Sequence, residues 1–401
     1  MIPPEPLPDT GLSPNELARR LLAQLEPRRD AWLDALLALV EHESPSRHKP
    51  ALDSLADLLS ARFAAAGAQV QRLPNPDGGD HLRATWTAPS HPDAKPILVL
   101  THYDTVWPLG TLQTMPAQIR DGRATGPGIY DMKASLILAE AALSALQAAS
   151  VPLARPVVLL ATSDEEIGSP TSRSLIEAEA RQAHCTLVLE APLANRALKT
   201  ARKGVACYRL DVYGQAAHSG VEPDKGASAI LELARQILAI QSLARPDLGT
   251  TINIGLIAGG SAVNVVPAEA HAEINVRIST LAEFDRLDAD LRRLQVVDPR
   301  TRIQLTGQLN RPPMERTPAT VALFHRTRDL ARLLGLELGE GATGGASDGN
   351  FASAVGCPTL DGLGCDGDGA HATHEHIQID ALAPRAALLG LLFALDPLPG
   401  L

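Results

Sequence analysis

Three short apolar runs, Pro96–Leu100, Pro156–Ala161 and Cys185–Leu189, constrain the fold of this chain more than any other feature. Each has the length of a strand and is apolar without alternation, as a strand buried on both faces requires. Segments with helical spacing separate them, notably Ala134–Ala149 and Thr171–Ala183. Strands alternating with helices predict an α/β fold: a mixed, largely parallel sheet flanked by helices on both faces.

Upstream, Ser13-Pro14-Asn15-Glu16 reads as a capping box, and Leu17, Leu21, Leu22 and Leu25 follow at helical spacing. Further helices are expected over Trp32–Val40 and Leu52–Gly67. From Lys203 the pattern changes. It predicts strand Val205–Tyr213, helix Gly226–Gln241, strands Thr250–Ile257 and Ala268–Ile278, helix Leu281–Leu294 and strand Thr301–Leu305. That β-α-β-β-α-β order is ferredoxin-like. It predicts an inserted α+β domain at 203–310, between main-domain segments 1–202 and 311–401. After Pro312-Pro313 the spacing predicts a helix over Val321–Leu334 and a glycine-rich turn at 341–349. A helix, strand Pro358–Leu363, a final helix from Ala381 and a frayed DPLPGL tail follow.

Composition excludes several classes. The 401 residues carry 36 Lys and Arg against 46 Asp and Glu, a net charge of −10, with no basic block to hold nucleic acid. No uninterrupted apolar stretch of about eighteen residues exists, so no membrane span is expected. Cys185, Cys207, Cys357 and Cys365 show no CxxC spacing. That argues against a disulfide scaffold or thiolate zinc finger and for a reducing, cytoplasmic setting. The proline-rich start has neither a basic nor an apolar leader region, so no signal peptide is expected.

All three apolar runs lead into polar chemistry. Thr101-His102-Tyr103-Asp104 follows the first, Thr162-Ser163-Asp164-Glu165-Glu166 the second and Glu190 the third. In an open α/β sheet the carboxyl ends of parallel strands face one crevice. His102, Asp104, Glu165, Glu166 and Glu190 are therefore expected to converge there. Several carboxylates in one desolvated cleft repel one another unless a cation neutralises them. An imidazole with carboxylate oxygens suits zinc, and less specifically manganese or cobalt. Gly126-Pro-Gly-Ile-Tyr-Asp131 adds an acid on a glycine-rich turn before a helix, and Gly369-Ala-His371-Ala-Thr-His374-Glu375-His376 adds a second imidazole. Each piece alone is an ordinary surface pattern; their recurrence after three buried strands is not.

The segments HYDTVWPLGT, GPGIYDMKAS, TSDEEIGS, VLEAP and HATHE, in this order, resemble the motifs of the dizinc aminoacylase and carboxypeptidase family of metallopeptidases. Within it they are most similar to the bacterial folate-cleaving glutamate carboxypeptidases. The resemblance covers nearly the whole chain from about residue 30. It implies two zinc ions, cobalt or manganese being the alternatives. His102 and Glu190 would bind one, Glu166 and His371 the other, and Asp131 would bridge them. It implies that Asp104 accepts a hydrogen bond from the far nitrogen of His102 and that Glu165 is the general base. In an extended loop, Glu165 and Glu166 would point in different directions. A cis Asp131–Met132 peptide is also implied.

In the inserted domain the resemblance implies that His218 stabilises an oxyanion across a dimer interface and that Asn264 contacts substrate. Arg311 would grip the substrate α-carboxylate, a task suited to a guanidinium fork. The insert would thus be a lid and dimerisation domain of a homodimer. Arg202 or Lys203 stands where a second carboxylate could bind, and Arg277 reads as a structural ion pair. The implied activity is zinc-dependent hydrolysis of the amide bond to a C-terminal amino acid, on a small N-acyl amino acid or peptide. Deacylation of the acetylornithine or succinyl-diaminopimelate type is the alternative. Gly345-Ala-Ser347-Asp348-Gly349 also matches the G-x-S-x-G nucleophile elbow. An elbow needs a strand directly before it, and Gly341–Gly345 reads as a turn, so a serine hydrolase is disfavoured. A non-catalytic binding protein would be expected only if ligands were missing, and none is.

Overall fold

The computed structural model of the chain describes residues 12–398. The proline-rich start and the last residues of the DPLPGL tail lie outside them. The chain forms two compact units. One comprises the residues up to Ala201, Arg316–Ala342 and those from Ser347 on; the other comprises Arg202–Glu315 and Thr343–Ala346.

The first unit is built on a six-stranded sheet, in the order Gln69–Leu73, His81–Trp86, Val157–Thr162, Ile97–His102, Cys185–Val188, Thr359–Leu360. The first two joins are antiparallel and the remaining three parallel. Side chains of the central strands alternate between two cores, because successive residues point to opposite faces. Ile97, Val99, Val157, Leu159 and Leu187 enter the larger core. It also holds the buried faces of helices Pro14–Leu25, Ala134–Ala148 and Leu382–Ala394. Leu98, Leu100, Val158, Leu160 and Val188 enter the other, against helices Arg173–Gln182 and Gly349–Ala354. Burial on both faces is why these strands are apolar throughout. The capping box forms: Ser13 Oγ accepts the Glu16 N–H and Glu16 Oε2 accepts the Ser13 N–H.

The structure adds elements that spacing did not predict. Gln69–Leu73 and His81–Trp86 extend the sheet antiparallel. Residues 341–343 of the expected turn at 341–349 belong to a strand, Glu340–Thr343. The expected fraying of the tail does not extend to its described part. Asp396 accepts hydrogen bonds from Arg155 and His184, and Leu398 is buried. A small sheet orders Gly367–Asp368, His376–Gln378, Arg123–Thr125 and Gln118–Arg120. Its ladder sets His376 opposite Thr125 and so draws two distant parts of the chain together.

In the second unit, Gly204–Tyr213 lies between Glu269–Ile278 and Arg302–Arg311, with Thr251–Gly259 at the outer edge, all antiparallel. Helices Ala229–Gln241 and Leu281–Arg292 complete the β-α-β-β-α-β order. Leu233, Ile240, Leu287 and Leu291 pack with Leu210, Val212 and Ile274 in its core. This is a ferredoxin-like arrangement. Among the described residues, no helix is long and apolar enough to cross a membrane.

Candidate metal centre

The strand order delivers the polar residues to one end of the sheet. His102 ends strand Ile97–His102, Glu165 and Glu166 follow strand Val157–Thr162, and Glu190 follows strand Cys185–Val188. Asp131 arrives from a kinked segment, Ile129–Lys133, that leads into helix Ala134–Ala148. Its φ of −118° and ψ of 90° leave the helical range, and the Asp131–Met132 peptide is cis. Gly128 turns the chain there at φ +72°; a Cβ at that position would meet Thr105 Cγ2 at 2.3 Å. His371 comes from the loop between Gly367–Asp368 and His376–Gln378, at φ +61°, a region non-glycine residues rarely enter.

These side chains meet. His102 Nε2 lies 3.1 Å from Asp131 Oδ1 and 3.7 Å from Glu190 Oε1. His371 Nε2 lies 3.2 Å from Asp131 Oδ2 and 3.1 Å from Glu166 Oε2. One ligand atom each from His102, Glu165 and Glu190 lies within 4.8 Å of the others, as does one each from His102, Asp131 and Glu166. His102 is buried, whereas the His371 side chain is 52% exposed.

Electrostatics follow from this crowding. Burial alone would lower the His102 pKa, but hydrogen bonds with Asp104 and Asp131 overcome it and raise it well above the usual value. Hydrogen bonds with Asp131 and Glu166 push His371 up to about 10. Burial works against an ionised Asp131, yet the two imidazoles hold its carboxyl far below the usual range. Burial pushes Glu166 up, with His371 opposing. Glu166 Oε1 is buried without a hydrogen-bond partner. A buried acceptor left alone is costly, and a cation satisfies it. Two imidazoles and four carboxylates therefore fit a pair of divalent cations.

The contact between His102 and Asp104 forms through a different atom, and the expected extended loop is replaced by a turn. Asp104 accepts from His102 Nδ1 through its backbone carbonyl, at 3.0 Å, while its carboxylate oxygen lies at 3.5 Å. The carboxylate also accepts the N–H groups of Glu165 and Glu166, each at 3.2 Å, and the Ser46 hydroxyl at 2.7 Å. Glu165 and Glu166 accordingly sit in a tight helical turn, Glu165–Ile167, not in an extended loop.

The remaining predicted residues lie in the second unit. His218 is exposed, and its Nδ1 lies 3.2 Å from the N–H groups of Gly220 and Val221. That makes Nδ1 an acceptor and leaves the proton on Nε2. The adjoining loop carries Asn264, whose carbonyl accepts from Ser219 N–H at 3.0 Å. Arg311 is buried at the end of its strand, with its register opposite Val205. Buried Arg202 donates to the Gly345 carbonyl, and Lys203 N–H donates to the Thr343 carbonyl. Among the described residues Arg277 forms no ion pair; it donates to Asn275 Oδ1 and to the Gly344 carbonyl.

In the first unit, Ser347 is fully buried, donates to Asp361 Oδ2 at 2.7 Å and accepts the Gly349 N–H. A short strand does precede it, contrary to the expected turn, but burial and this pairing remove its nucleophilic role. Glu375, in the same loop as His371, is a site residue that the sequence pattern does not single out. It is fully buried and accepts four N–H donors. Burial pushes its carboxyl up against the opposing pull of those donors.

Residues 98–394 match the model of peptidase family M20/M25/M40. Carboxypeptidase G2 of Pseudomonas sp. (strain RS-16) is 28% identical over 296 residues, which is 73% of this chain and 71% of that protein. A succinyl-diaminopimelate desuccinylase of Azoarcus sp. (strain BH72) is 31% identical over 320 residues, 74% of this chain and 81% of that one. Among solved structures, aminopeptidase PepT from Bacillus cereus matches 91% of this chain and 98% of its own at 22% identity and a TM-score of 0.80. An M20 family metallo-carboxypeptidase from Sulfolobus solfataricus matches 91% and 99% at 19% identity and a TM-score of 0.70. The chain therefore belongs to peptidase family M20/M25/M40 and is a metallohydrolase of that family.

Proposed function

We propose that this enzyme hydrolyses the amide bond to a C-terminal amino acid, with His102 and Glu190 holding one zinc ion, Glu166 and His371 a second, and Asp131 shared. The carrying observation is the division of the Asp131 oxygens between His102 and His371. When bound, the ion pair supplies Lewis acidity at the scissile carbonyl and lowers the pKa of water. Cobalt or manganese suits the same donors. Glu165 takes the proton of the attacking water and returns it to the leaving amine. Asp104 holds the turn that aims Glu165. His218, protonated on Nε2, donates to the developing oxyanion. Arg311 grips the α-carboxylate of the departing residue and Asn264 contacts substrate from the lid.

A homodimer through the second unit completes this reading. Thr251–Gly259 is an edge strand with Leu256 and Ile257 68% and 66% exposed, and Leu238 on helix Ala229–Gln241 is 73% exposed. An unpaired edge beside exposed apolar side chains invites a second copy. Four free cysteines support a cytosolic setting.

The 31% identity to a desuccinylase favours a second reading, deacylation of small N-acyl amino acids at the same centre. A hydrolysis screen with added zinc, over dipeptides and N-acyl amino acids differing in the C-terminal residue, separates the two. Turnover set by the C-terminal residue supports the first; turnover set by a small acyl group supports the second. Activity that survives complete chelation refutes both.

A further inference from the structure

The ladder that sets His376–Gln378 beside Arg123–Thr125 brings Glu375 under the turn that carries Asp131. Glu375 Oε1 accepts the N–H groups of Tyr130 at 2.9 Å and Asp131 at 3.0 Å. Oε2 accepts the Gly128 N–H at 3.0 Å and the Trp107 indole N–H at 2.8 Å. These partners lie 244 to 268 positions away in the chain. The backbone of the turn is irregular. Gly128 is left-handed, and Asp131 and Met132 depart from helical angles. Without Glu375, the N–H groups of Gly128, Tyr130 and Asp131 would lose their acceptor inside the protein. Three convergent backbone N–H groups form a concavity that selects an anion, and Glu375 fills it from within the chain.

We infer that Glu375 is a positioning residue of the metal centre: by binding the N–H groups of Gly128, Tyr130 and Asp131 and the Trp107 indole, it fixes the turn bearing Asp131 to the loop bearing His371. It touches neither substrate nor reacting atoms. It sets the distance between two side chains that must share their ions. The inference rests on the proposed reading of Asp131 and His371 as metal ligands. Only a carboxylate serves all four donors. Glutamine in its place turns an NH2 toward two of them.

The test is a cobalt(II) titration of the full chain, wild type against Glu375→Gln, read by the visible absorption of the bound ion, with amide exchange of residues 126–133 in the metal-free protein. The expected result for the folded variant is an affinity lower by about 10–100-fold, an altered cobalt spectrum and faster exchange of the turn. Wild-type affinity and spectrum in the variant overturn the inference. If the wild type binds no cobalt, the metal reading fails by itself. Amide exchange then decides the clamp: unchanged protection overturns it, and faster exchange upholds it. Should Glu375→Gln not fold, Trp107→Phe removes a single donor from a half-buried position. It is expected to shift both readouts in the same direction by a few fold, and a variant unchanged in both overturns the inference.

Discussion

His102 and His371 face different oxygens of one carboxylate: Asp131 Oδ1 lies 3.1 Å from His102 Nε2, and Oδ2 lies 3.2 Å from His371 Nε2. On the proposed reading Asp131 is a ligand shared by the two ion sites and so couples them. Asp131→Ala is therefore expected to empty both, whereas Glu190→Ala should weaken only the site of His102. Zinc content after dialysis, by mass spectrometry, measures this. Two ions retained per Asp131→Ala chain would remove the bridging role.

Glu165 lies beside His102 and Glu190, yet its neighbour Glu166 is the residue that meets His371. If Glu165 is the base, as proposed, Glu165→Gln keeps the shape and loses the proton acceptor. Zinc content should stay at the wild-type level while kcat falls by about 10²–10⁴. An undiminished kcat would assign the proton transfer elsewhere.

Asp104 is buried, and both its carboxylate oxygens accept N–H groups from the Glu165–Ile167 turn. Asp104→Asn puts an NH2 where one of these acceptors stood. A buried N–H is left facing a donor, which costs about 1–3 kcal/mol. Chemical denaturation should report that loss. Because the turn aims Glu165, kcat should fall while the His102 Nδ1 bond, made to the Asp104 carbonyl, survives. Full stability together with full kcat would contradict this role.

The parts of this architecture that could be read from sequence are those whose partners are generic. Ile97–His102 and Val157–Thr162 are apolar at every core position because both faces are buried, so the strands and the polar residues at their ends stand out. Gln69–Leu73 has no buried residue, and its QVQRL pattern carries no signal of a strand. Glu375 could not be read at all, since its donors come from Trp107 and from Gly128 to Asp131, brought near by a sheet of two- and three-residue strands. The same holds for Asp104. The H-x-D spacing identifies a pair, while only the fold shows that the same carboxylate also accepts the N–H groups of Glu165 and Glu166.

Asp80 predicts an acid limit to stability. Burial would raise its pKa, but Lys49 Nζ at 2.8 Å, the Asn75 N–H at 3.0 Å and Arg72 Nε at 2.6 Å outweigh it and hold the carboxyl at about 2. In the unfolded chain an aspartate titrates near ~3.9. The folded pKa is the lower one, so the stabilisation is fully present above about pH 4 and is lost as pH falls towards 2. Asp80→Asn should therefore be less stable than wild type at pH 7, with the gap closing at about pH 2. Urea midpoints at the two pH values measure it. A gap that persists undiminished at pH 2 would show that the carboxylate charge is not the source.

The dimer reading makes the sharpest demand on His218. Its Nδ1 is occupied by the Gly220 and Val221 N–H groups, so only Nε2 can donate outward, and the residue is exposed. If that donor serves the centre of a second copy, each site draws Glu165 from one chain and His218 from the other. Glu165→Gln and His218→Ala should each be nearly inactive alone. Random mixing of the two variants gives about half mixed dimers, and in each of these one site has both residues intact. Activity should return to about one quarter of the wild-type value after dissociation and reassociation. A mixture no more active than its parts would mean that His218 acts within its own chain or not at all, and a strictly monomeric wild type in solution would exclude the exchange from the start.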